Sequence, residues 1–382
     1  MKKIIIIILA MFIATSKLSA AEDLAPNSKS AILIEESSKE ILYQKNIHEK
    51  LAPASMTKIM SMLLIMESVD SGKISLDDTV TISENAASMG GSQIFLEEGS
   101  KVKVSELLKG VAVASGNDAV VALSEKVAGS EAEFVELMNK RASQLGLKNT
   151  NFKNPHGLDD SDHYSSAYDM SVIALELLKH PKILEYTSIY EEYLNKPDGS
   201  SIWLVNTNKL VRFYEGVDGL KTGYTSTAGY CLTATAKKNN LRLISVVMNA
   251  ETSDKRSADI VKMLNYGFNG YKINTILEKK TDLGKIKIEN GKQEAATLML
   301  FEDISELQKI TDDNKKYSFN IKKNKVTAPI KSGDEVGTLE IISDNKVIKK
   351  VPLTIKEDIK KASIINLFGR NLKIIISGKN PF

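Results

Sequence analysis

The sequence predicts an α/β fold: a large first domain of helices and antiparallel strands, followed by a small all-β domain. Three observations support this prediction. Apolar residues recur at helical spacing in several segments between residues 54 and 181. Two strand-like runs then lie on either side of Asn239 and Asn240, as in a β-hairpin. Beyond about residue 274, short β-like runs alternate with turns rich in Gly, Asn, Asp and Lys.

The composition is that of an ordinary globular protein. The 382 residues are 42% hydrophobic and 26% charged, which provides for a large core in two domains. The net charge of +3 is too small to indicate binding to nucleic acid. The four histidines and the single cysteine form no cluster with metal-ligand spacing, so we expect no metal and no cofactor. Because Cys231 is the single cysteine of the sequence, no intramolecular disulfide can form. We expect Cys231 to be a buried apolar residue.

A secretory signal peptide is predicted over residues 1–21. Lysines at positions 2 and 3 precede an apolar run over residues 4–14, and small residues follow. The apolar run is too short to span a bilayer. We expect cleavage after Ala20 or Ala21, with an uncleaved N-terminal anchor as the alternative. Either way the bulk of the protein lies outside the cytoplasm, in the periplasm or at the outer face of the cytoplasmic membrane.

The elements of the first domain, placed at residues 22–274, follow in order. Two short strands surround a polar turn in residues 31–43, and a helix begins near Ala54. Residues 103–127 predict two helices, or one that is broken near residues 115–117. Amphipathic helices then stop at Gly146 and at Pro181. Strands dominate from Gly219 to Asn249, and a closing helix follows them.

The β domain is placed at residues 275–354, and a tail at residues 355–382. At helical spacing the tail separates an apolar face from a polar one, with Ile364, Phe368, Leu372 and Ile375 on the first and Asn366, Arg370, Lys373 and Ser377 on the second. A basic amphipathic helix of this kind lies in a membrane interface. A helix packed on the β domain, or another strand, is the alternative.

Ser55 and Lys58 stand three residues apart where an apolar helical run begins. Side chains at i and i+3 of a helix share a face, so the lysine can reach the serine hydroxyl. Burial makes a lysine ammonium easier to deprotonate. A neutral lysine can accept the serine proton and activate the oxygen as a nucleophile. Pro53 suits a helix start, where outward N–H groups can hold an oxyanion.

Two further signals follow along the chain. Residues 115–117 read Ser-Gly-Asn between apolar helices. The hydroxyl can relay a proton and the amide can hold a substrate amide, although a helix N-cap is the alternative. Lys221, Thr222 and Gly223 open a strand-like run, where they supply a positive charge, a hydroxyl for a carboxylate and room for a substrate backbone. Similar triplets at residues 331–333 and 343–345 come in the wrong order, and we expect them to be turns.

In this order the three signals match the Ser-x-x-Lys, Ser-x-Asn and Lys-Thr-Gly set of penicillin-binding proteins and serine β-lactamases. Beyond the motifs, the chain resembles the low-molecular-mass D-alanyl-D-alanine carboxypeptidases of the peptidase S11 type along essentially its whole length. The segments that carry this resemblance are "LAPASMTKIM", "SGNDA", "NPHGLDDSDHYSSAYDM" and "GVDGLKTGYTSTAGYCL". The order of signal peptide, catalytic domain, small β domain and amphipathic tail is also similar.

The resemblance implies a serine β-lactamase/DD-peptidase-like catalytic domain and assigns roles within it. Ser55 would be the acylated nucleophile and Lys58 its general base. Ser115 and Asn117 would line the opposite wall of the cleft. The loop at residues 88–93 would border the site.

The same resemblance assigns the substrate-binding edge of the cleft. Lys221, Thr222 and Gly223 would form the strand beside which the peptide lies. The backbone N–H groups of Ser55 and Tyr224 would form the oxyanion hole, and Arg256 would lie near the terminal carboxylate. His156 would be structural. Tyr224 stands where the family frequently has histidine, so the fine substrate preference is not inherited from the resemblance.

The implied function is removal of the terminal D-alanine from peptidoglycan pentapeptide stems, which limits cross-linking. The implied partners are stem peptides, β-lactams as covalent inhibitors, and a membrane surface at the tail. An endopeptidase acting on D-alanyl cross-links uses the same chemistry and is the alternative. A class A β-lactamase would carry a glutamate about 35 residues past the second motif, where this chain has "NTNFKNPHG". A non-catalytic envelope protein is less favoured, because both Ser55 and Lys58 are present.

Overall fold

An antiparallel sheet and the helices around it form the first part of the chain in the computed structural model, which describes residues 22–195, 199–312 and 315–376. In chain order the elements are β1 Ser28–Glu35, β2 Ile41–Lys45, a 3-10 turn Ala54–Thr57, α1 Lys58–Asp70, β3 Thr79–Thr81, α2 Glu84–Ala87, β4 Lys101–Lys103, α3 Val104–Ala114, α4 Asn117–Ala128, α5 Glu131–Gln144, α6 Ala167–Leu177, a 3-10 turn Pro181–Ile183, α7 Leu184–Thr187, β5 Glu191–Asn195, β6 Ser201–Val205, α8 Leu210–Phe213, β7 Val217–Thr225, β8 Gly229–Lys238, β9 Leu241–Ala250 and α9 Ser253–Gly270.

The central sheet has five strands in the order β2-β1-β9-β8-β7, and its three inner strands are buried on both faces along most of their length. Side chains alternate between faces along a strand. Ile32 and Ile34 accordingly pack toward the helices α1 to α6, while Ala31 and Leu33 pack toward α9. The predicted hairpin at Asn239 is confirmed as β8–β9. Strand β7 lies at one edge of the sheet, and the site is built beside it.

Helix α1 runs through the middle of the helical layer, and almost every residue from Lys58 to Ser68 is buried. The break predicted near residues 115–117 is confirmed. Helix α3 ends at Ala114. The next residue, Ser115, caps the helix in a left-handed backbone conformation with φ of 64°, and α4 begins at Asn117. This turn holds both Ser115 and Asn117 where the two helices meet.

The second part of the chain is all-β, which confirms the predicted fold class. Its strands are β10 Tyr271–Leu277, β11 Lys285–Glu289, β12 Ala295–Leu300, β13 Ile304–Lys309, β14 Ser318–Lys323, β15 Val326–Thr327, β16 Gly337–Ser343 and β17 Lys346–Ile355. Six of them form one sheet in the order β14-β16-β17-β12-β11-β15, and β10 pairs with β13. The triplets at residues 331–333 and 343–345 lie at turns of this domain, as predicted. The expected boundary after residue 274 falls within β10.

Helix α10, Ile364–Ile376, follows the β domain and is amphipathic. The side chains of Ile364, Ile365 and Phe368 are 86%, 82% and 68% exposed. On the polar side, Arg370 donates to the carbonyl oxygens of Gly291 and Lys292. The tail is therefore a helix, not a strand, and most of its apolar side chains that can be described face solvent. The side chain of Ile375, all of Ser377 and the predicted signal peptide lie outside the described residues.

Candidate active site

The Ser55 hydroxyl lies beside Lys58 at the start of α1. The 3-10 turn at Ala54–Thr57 runs directly into the helix. Lys58 Nζ is 2.9 Å from Ser55 Oγ. Ser55 is half-buried, whereas Lys58 has no exposed surface. The i, i+3 spacing therefore places the amine against the hydroxyl, while the hydroxyl keeps access to the cleft.

Two other oxygen atoms surround the Lys58 amine. Asn117 Oδ1 and the carbonyl oxygen of His156 each lie 2.7 Å from Nζ. The Asn117 amide is oriented by its other end, because Nδ2 donates to the carbonyl oxygen of Gly90 at 2.7 Å. Both oxygens can only accept hydrogen bonds. A neutral amine would donate its two protons to them, which leaves its lone pair directed at the Ser55 hydroxyl.

Electrostatics favour that neutral form. Burial lowers the pKa of Lys58 well below its usual value, and the positive charge of Lys221 lowers it further against the opposing effect of Asp118. Burial, helped by the charge of Arg256, also lowers the pKa of Lys221, to about 7. Two buried lysines of lowered pKa in one cleft are typical of a catalytic site.

The loop at residues 88–93 reaches the site through Asn117. The carbonyl oxygen of Ser92 accepts a 2.7 Å hydrogen bond from Asn117 N, in addition to the Gly90 contact. Nearby, the buried carboxylate of Asp118 accepts hydrogen bonds from the backbone of Ile94 and Leu96 at 3.0–3.1 Å. The first two residues of α4, Asn117 and Asp118, therefore hold the loop, and Asn117 also contacts Lys58. Ser115 lies in the same turn and is 3% exposed.

The Lys-Thr-Gly segment lies on β7, against the 3-10 turn Ala54–Thr57. A Cβ atom at Gly223 would come within 2.7 Å of the Pro53 carbonyl oxygen, so only glycine allows this approach. Thr222 Oγ1 donates to Thr207 Oγ1 at 2.6 Å, and Lys221 Nζ lies 3.5 Å from the same oxygen. The first and third sequence motifs thus meet across the cleft.

Tyr224 and Arg256 occupy different environments. The Tyr224 side chain is 56% exposed, and its ring centroid lies 4.4 Å from that of Tyr230. Arg256 lies on α9 and is 6% exposed. Its Nε finds no hydrogen-bond partner among the described residues. Cys231 is buried as expected, and burial raises the pKa of its thiol to about 11, which excludes a thiolate nucleophile near neutral pH.

Sequence reasoning missed several supporting groups. Thr207 lies outside all three motifs, and no pattern in the sequence marks it. The carbonyl oxygen of His156 was missed because backbone groups carry no sequence signal. His163 was missed as well. Its Nδ1 accepts a hydrogen bond from Lys153 N at 3.2 Å, so Nε2 carries the proton and donates to Thr57 Oγ1 at 2.8 Å. His163 therefore holds Thr57, one of the two residues between Ser55 and Lys58.

No group of three or more His, Cys, Asp or Glu side chains in the described ranges could hold a metal ion. The arrangement is suited to acyl transfer, since it combines a hydroxyl, a buried amine beside it and an adjacent strand edge.

Replacement of His163 should change how stability depends on pH. Burial lowers the pKa of His163 from 6.5 to about 4. Since the unfolded chain binds the proton more readily, this group makes the folded state less stable as the pH falls from about 6.5 to 4. We expect the wild type to lose about 3 kcal/mol more unfolding free energy over that interval than His163→Gln. Urea unfolding at both pH values measures the difference, and parallel losses in the two proteins would contradict it.

Comparison with known proteins gives a consistent result along the chain. A family model described as D-alanyl-D-alanine carboxypeptidase matches residues 16–252. A second model, described as penicillin-binding protein 5, C-terminal domain, matches residues 271–361. The chain is 52% identical over 351 residues to D-alanyl-D-alanine carboxypeptidase DacF of Bacillus subtilis, which covers 92% of this chain and 90% of that protein.

Solved structures agree with the sequence matches. Penicillin-binding protein 5 from Haemophilus influenzae has a TM-score of 0.71 and 35% identity, and the match covers 88% of this chain and 98% of that one. Penicillin-binding protein D2 from Listeria monocytogenes in the ampicillin-bound form has a TM-score of 0.57 and 30% identity. That match covers 63% of this chain and 97% of the other.

Proposed function

The chain belongs to the D-alanyl-D-alanine carboxypeptidase family of hydrolases, and from that premise we propose that it removes the terminal D-alanine of peptidoglycan pentapeptides through an acyl-enzyme on Ser55. The observation that carries the proposal is the position of the Lys58 amine, 2.9 Å from Ser55 Oγ and wholly buried. By shortening pentapeptide stems, the enzyme would remove donors for cross-linking.

The reaction begins when Lys58 accepts the Ser55 proton and Ser55 Oγ attacks the carbonyl carbon of the penultimate D-alanine. The backbone N–H groups of Ser55 and Tyr224 hold the oxyanion of the tetrahedral intermediate. The C–N bond then breaks, and a proton returned from Lys58, with Ser115 as relay, allows the terminal D-alanine to leave as an amine. Water, deprotonated by the same amine, hydrolyses the ester and restores the serine.

The substrate lies along β7 in this mechanism. The charge of Lys221 and the hydroxyl of Thr222 attract the terminal carboxylate, and Asn117 holds the substrate amide. Arg256 contributes a second positive charge at this end of the cleft, because its charge already acts on Lys221. β-Lactams present a reactive amide and a carboxylate, so we propose that they acylate Ser55. The ampicillin-bound neighbour supports this part of the proposal.

Ser55→Ala should abolish both the release of D-alanine and the acylation by β-lactams. We expect the wild type to release D-alanine from a pentapeptide ending in D-Ala-D-Ala and to become labelled by a fluorescent penicillin, whereas the variant does neither. The assay uses the purified chain without residues 1–21, and a thermal melt of the variant confirms that it is folded. Labelling without D-alanine release would favour the endopeptidase. A folded wild type that shows neither activity would favour the non-catalytic alternative.

The acylation rate constant should rise with pH through the pKa of Lys58 and then level off, since only the neutral amine takes the proton. Burial and the charge of Lys221 hold that pKa well below 10.5, so the level region should begin well below that pH. Lys221→Gln removes the neighbouring charge and should move the rising limb to higher pH. Stopped-flow acylation of both proteins tests this. A wild-type limb that rises as far as 10.5 would contradict a lowered pKa for Lys58.

We propose that the protein is exported and held peripherally at the outer face of the cytoplasmic membrane by α10. None of the described helices is both long and apolar enough to cross a bilayer. A surface attachment needs only the exposed apolar face of α10, beside which Lys373 can approach anionic headgroups. The matched relatives, as penicillin-binding proteins, are compatible with an envelope location.

Deletion of residues 362–382 should release the protein from membranes. The expected result is recovery of the shortened protein in the soluble fraction with its penicillin labelling retained, because the deleted residues lie far from Ser55 along the chain. A point variant, Phe368→Glu, tests the apolar face alone. Retention of both variants in the membrane fraction would exclude α10 as the anchor.

A further inference from the structure

The β5–β6 hairpin exposes large apolar side chains on one face. Tyr193 and Trp203 are directly opposite each other across the two strands, and they are 62% and 58% exposed. Val205 on the same face is 36% exposed, and Phe213 of α8 is 69% exposed. We call Tyr193, Trp203, Val205 and Phe213 the aromatic platform. Exposed aromatic side chains that lie together mark a binding surface more strongly than scattered ones.

The opposite face of the hairpin, beneath the aromatic platform, packs against the protein core. Leu194 and Leu204 on the inner face are each 2% exposed and belong to the main core. Glu192, also on that face, forms an ion pair with Lys109 of α3, and its Oε1 lies 2.9 Å from Lys109 Nζ. A surface that is already rigid loses little conformational entropy when a ligand binds.

Phe213 is connected to the hairpin by packed side chains. Its ring lies edge-on to Tyr190, with centroids 6.1 Å apart. The guanidinium of Arg212 lies 4.9 Å from the centre of the Tyr190 ring. Arg212 also approaches Glu191, with Nη1 3.6 Å from Oε1. Helix α8 therefore extends the surface begun by the two strands.

The platform leads directly into the cleft. Strand β6 ends at Val205, and the chain continues to Asn206, whose N–H donates to the Tyr190 carbonyl oxygen at 2.7 Å. The next residue is Thr207, which receives the hydroxyl of Thr222 at 2.6 Å. Trp203 precedes Thr207 by four residues, so their Cα atoms are at most about 14 Å apart. A ligand on the platform would thus lie close to β7, the strand that carries the Lys-Thr-Gly segment.

The chemistry of the platform favours a neutral ring compound with polar edges. Among the described residues at its border, the charged side chains of Glu191 and Arg212 pair with each other. Asn195 and Ser201 face each other at the end of the same side of the hairpin and offer an amide and a hydroxyl. A pyranose ring presents C–H groups on its face and hydroxyl or acetamido groups on its rim. The C–H groups suit the negative face of an aromatic ring, and the rim groups suit the polar side chains.

We propose that the aromatic platform binds the N-acetylated sugar units of the glycan strand that carries the stem peptide. This inference rests on the proposed function, because a stem peptide in the cleft brings its attached glycan close to the protein surface. The platform would select stems that are still joined to a glycan strand over free peptides. The contact is made by packing and hydrogen bonds, and no bond is made or broken there.

Trp203 is the only tryptophan in the 382 residues, so tryptophan emission reports on the platform alone. We expect a saturable change in emission when the wild type is titrated with a β-1,4-linked N-acetylglucosamine tetramer or with glycan strands freed of peptide. Tyr193→Ala should raise the dissociation constant about tenfold. The matched control is Phe319→Ala on β14, an aromatic side chain that is 43% exposed but far along the chain from the platform. This variant should titrate like the wild type.

A kinetic measurement on the same variants tests the link to the cleft. We expect the ratio of kcat/KM for a disaccharide-linked pentapeptide to that for the sugar-free pentapeptide to fall about tenfold in Tyr193→Ala and in Trp203→Ala. Phe319→Ala should keep the wild-type ratio. Thermal melts exclude unfolding as a cause.

The outcomes separate this inference from the proposed function. A saturable titration in a protein that releases no D-alanine would support the platform while the proposed function fails. Absence of any emission change with either glycan, or equal weakening by Phe319→Ala, would overturn the platform. Emission that changes with protein concentration alone would assign the surface to a second copy of this chain and would also overturn it.

Discussion

A lysine side chain without exposed surface, enclosed by two oxygen atoms that can only accept hydrogen bonds, imposes the main constraint on this fold. Burial makes the charged form of Lys58 unfavourable, and the nearby Lys221 makes it more so. The neutral amine satisfies Asn117 Oδ1 and the His156 carbonyl oxygen with its two protons. Its remaining electron pair then points to Ser55. The two oxygen atoms that can only accept hydrogen bonds thus set the orientation of the Lys58 amine toward Ser55.

The architecture can be understood as the means of holding those partners. Lys58 begins a helix buried along most of its length, so it cannot move without disturbing the core. Asn117 begins α4, where the left-handed Ser115 turn breaks a longer helical run. The His156 carbonyl belongs to a loop that runs closely beneath the 3-10 turn Ala54–Thr57, since a Cβ atom at Gly157 would collide with the Ala54 carbonyl oxygen. The edge strand β7 completes the cleft, because Gly223 allows it to approach Pro53.

The sequence predicts the parts of this arrangement that depend on local patterns. The i, i+3 spacing of Ser55 and Lys58, the helix break near Ser115 and the hairpin at Asn239 all follow from short-range rules, and the structure places them accordingly. The family resemblance supplies the relation between the motifs. What the sequence could not supply is the set of contacts made by backbone atoms and by remote side chains. Thr207, the His156 carbonyl and the tautomer of His163 depend on tertiary proximity, which leaves no periodic or compositional trace.

The two hydrogen bonds between Asn117 and the loop at residues 88–93 have an evolutionary consequence. The amide that accepts from Lys58 also donates to the Gly90 carbonyl oxygen, and a side chain at Gly91 would come within 2.8 Å of the same amide nitrogen. A mutation in this surface loop would therefore shift Asn117 and change the surroundings of the Lys58 amine. The loop is thus a place where lineages can alter the geometry of the candidate site while Ser55, Lys58 and Asn117 stay the same.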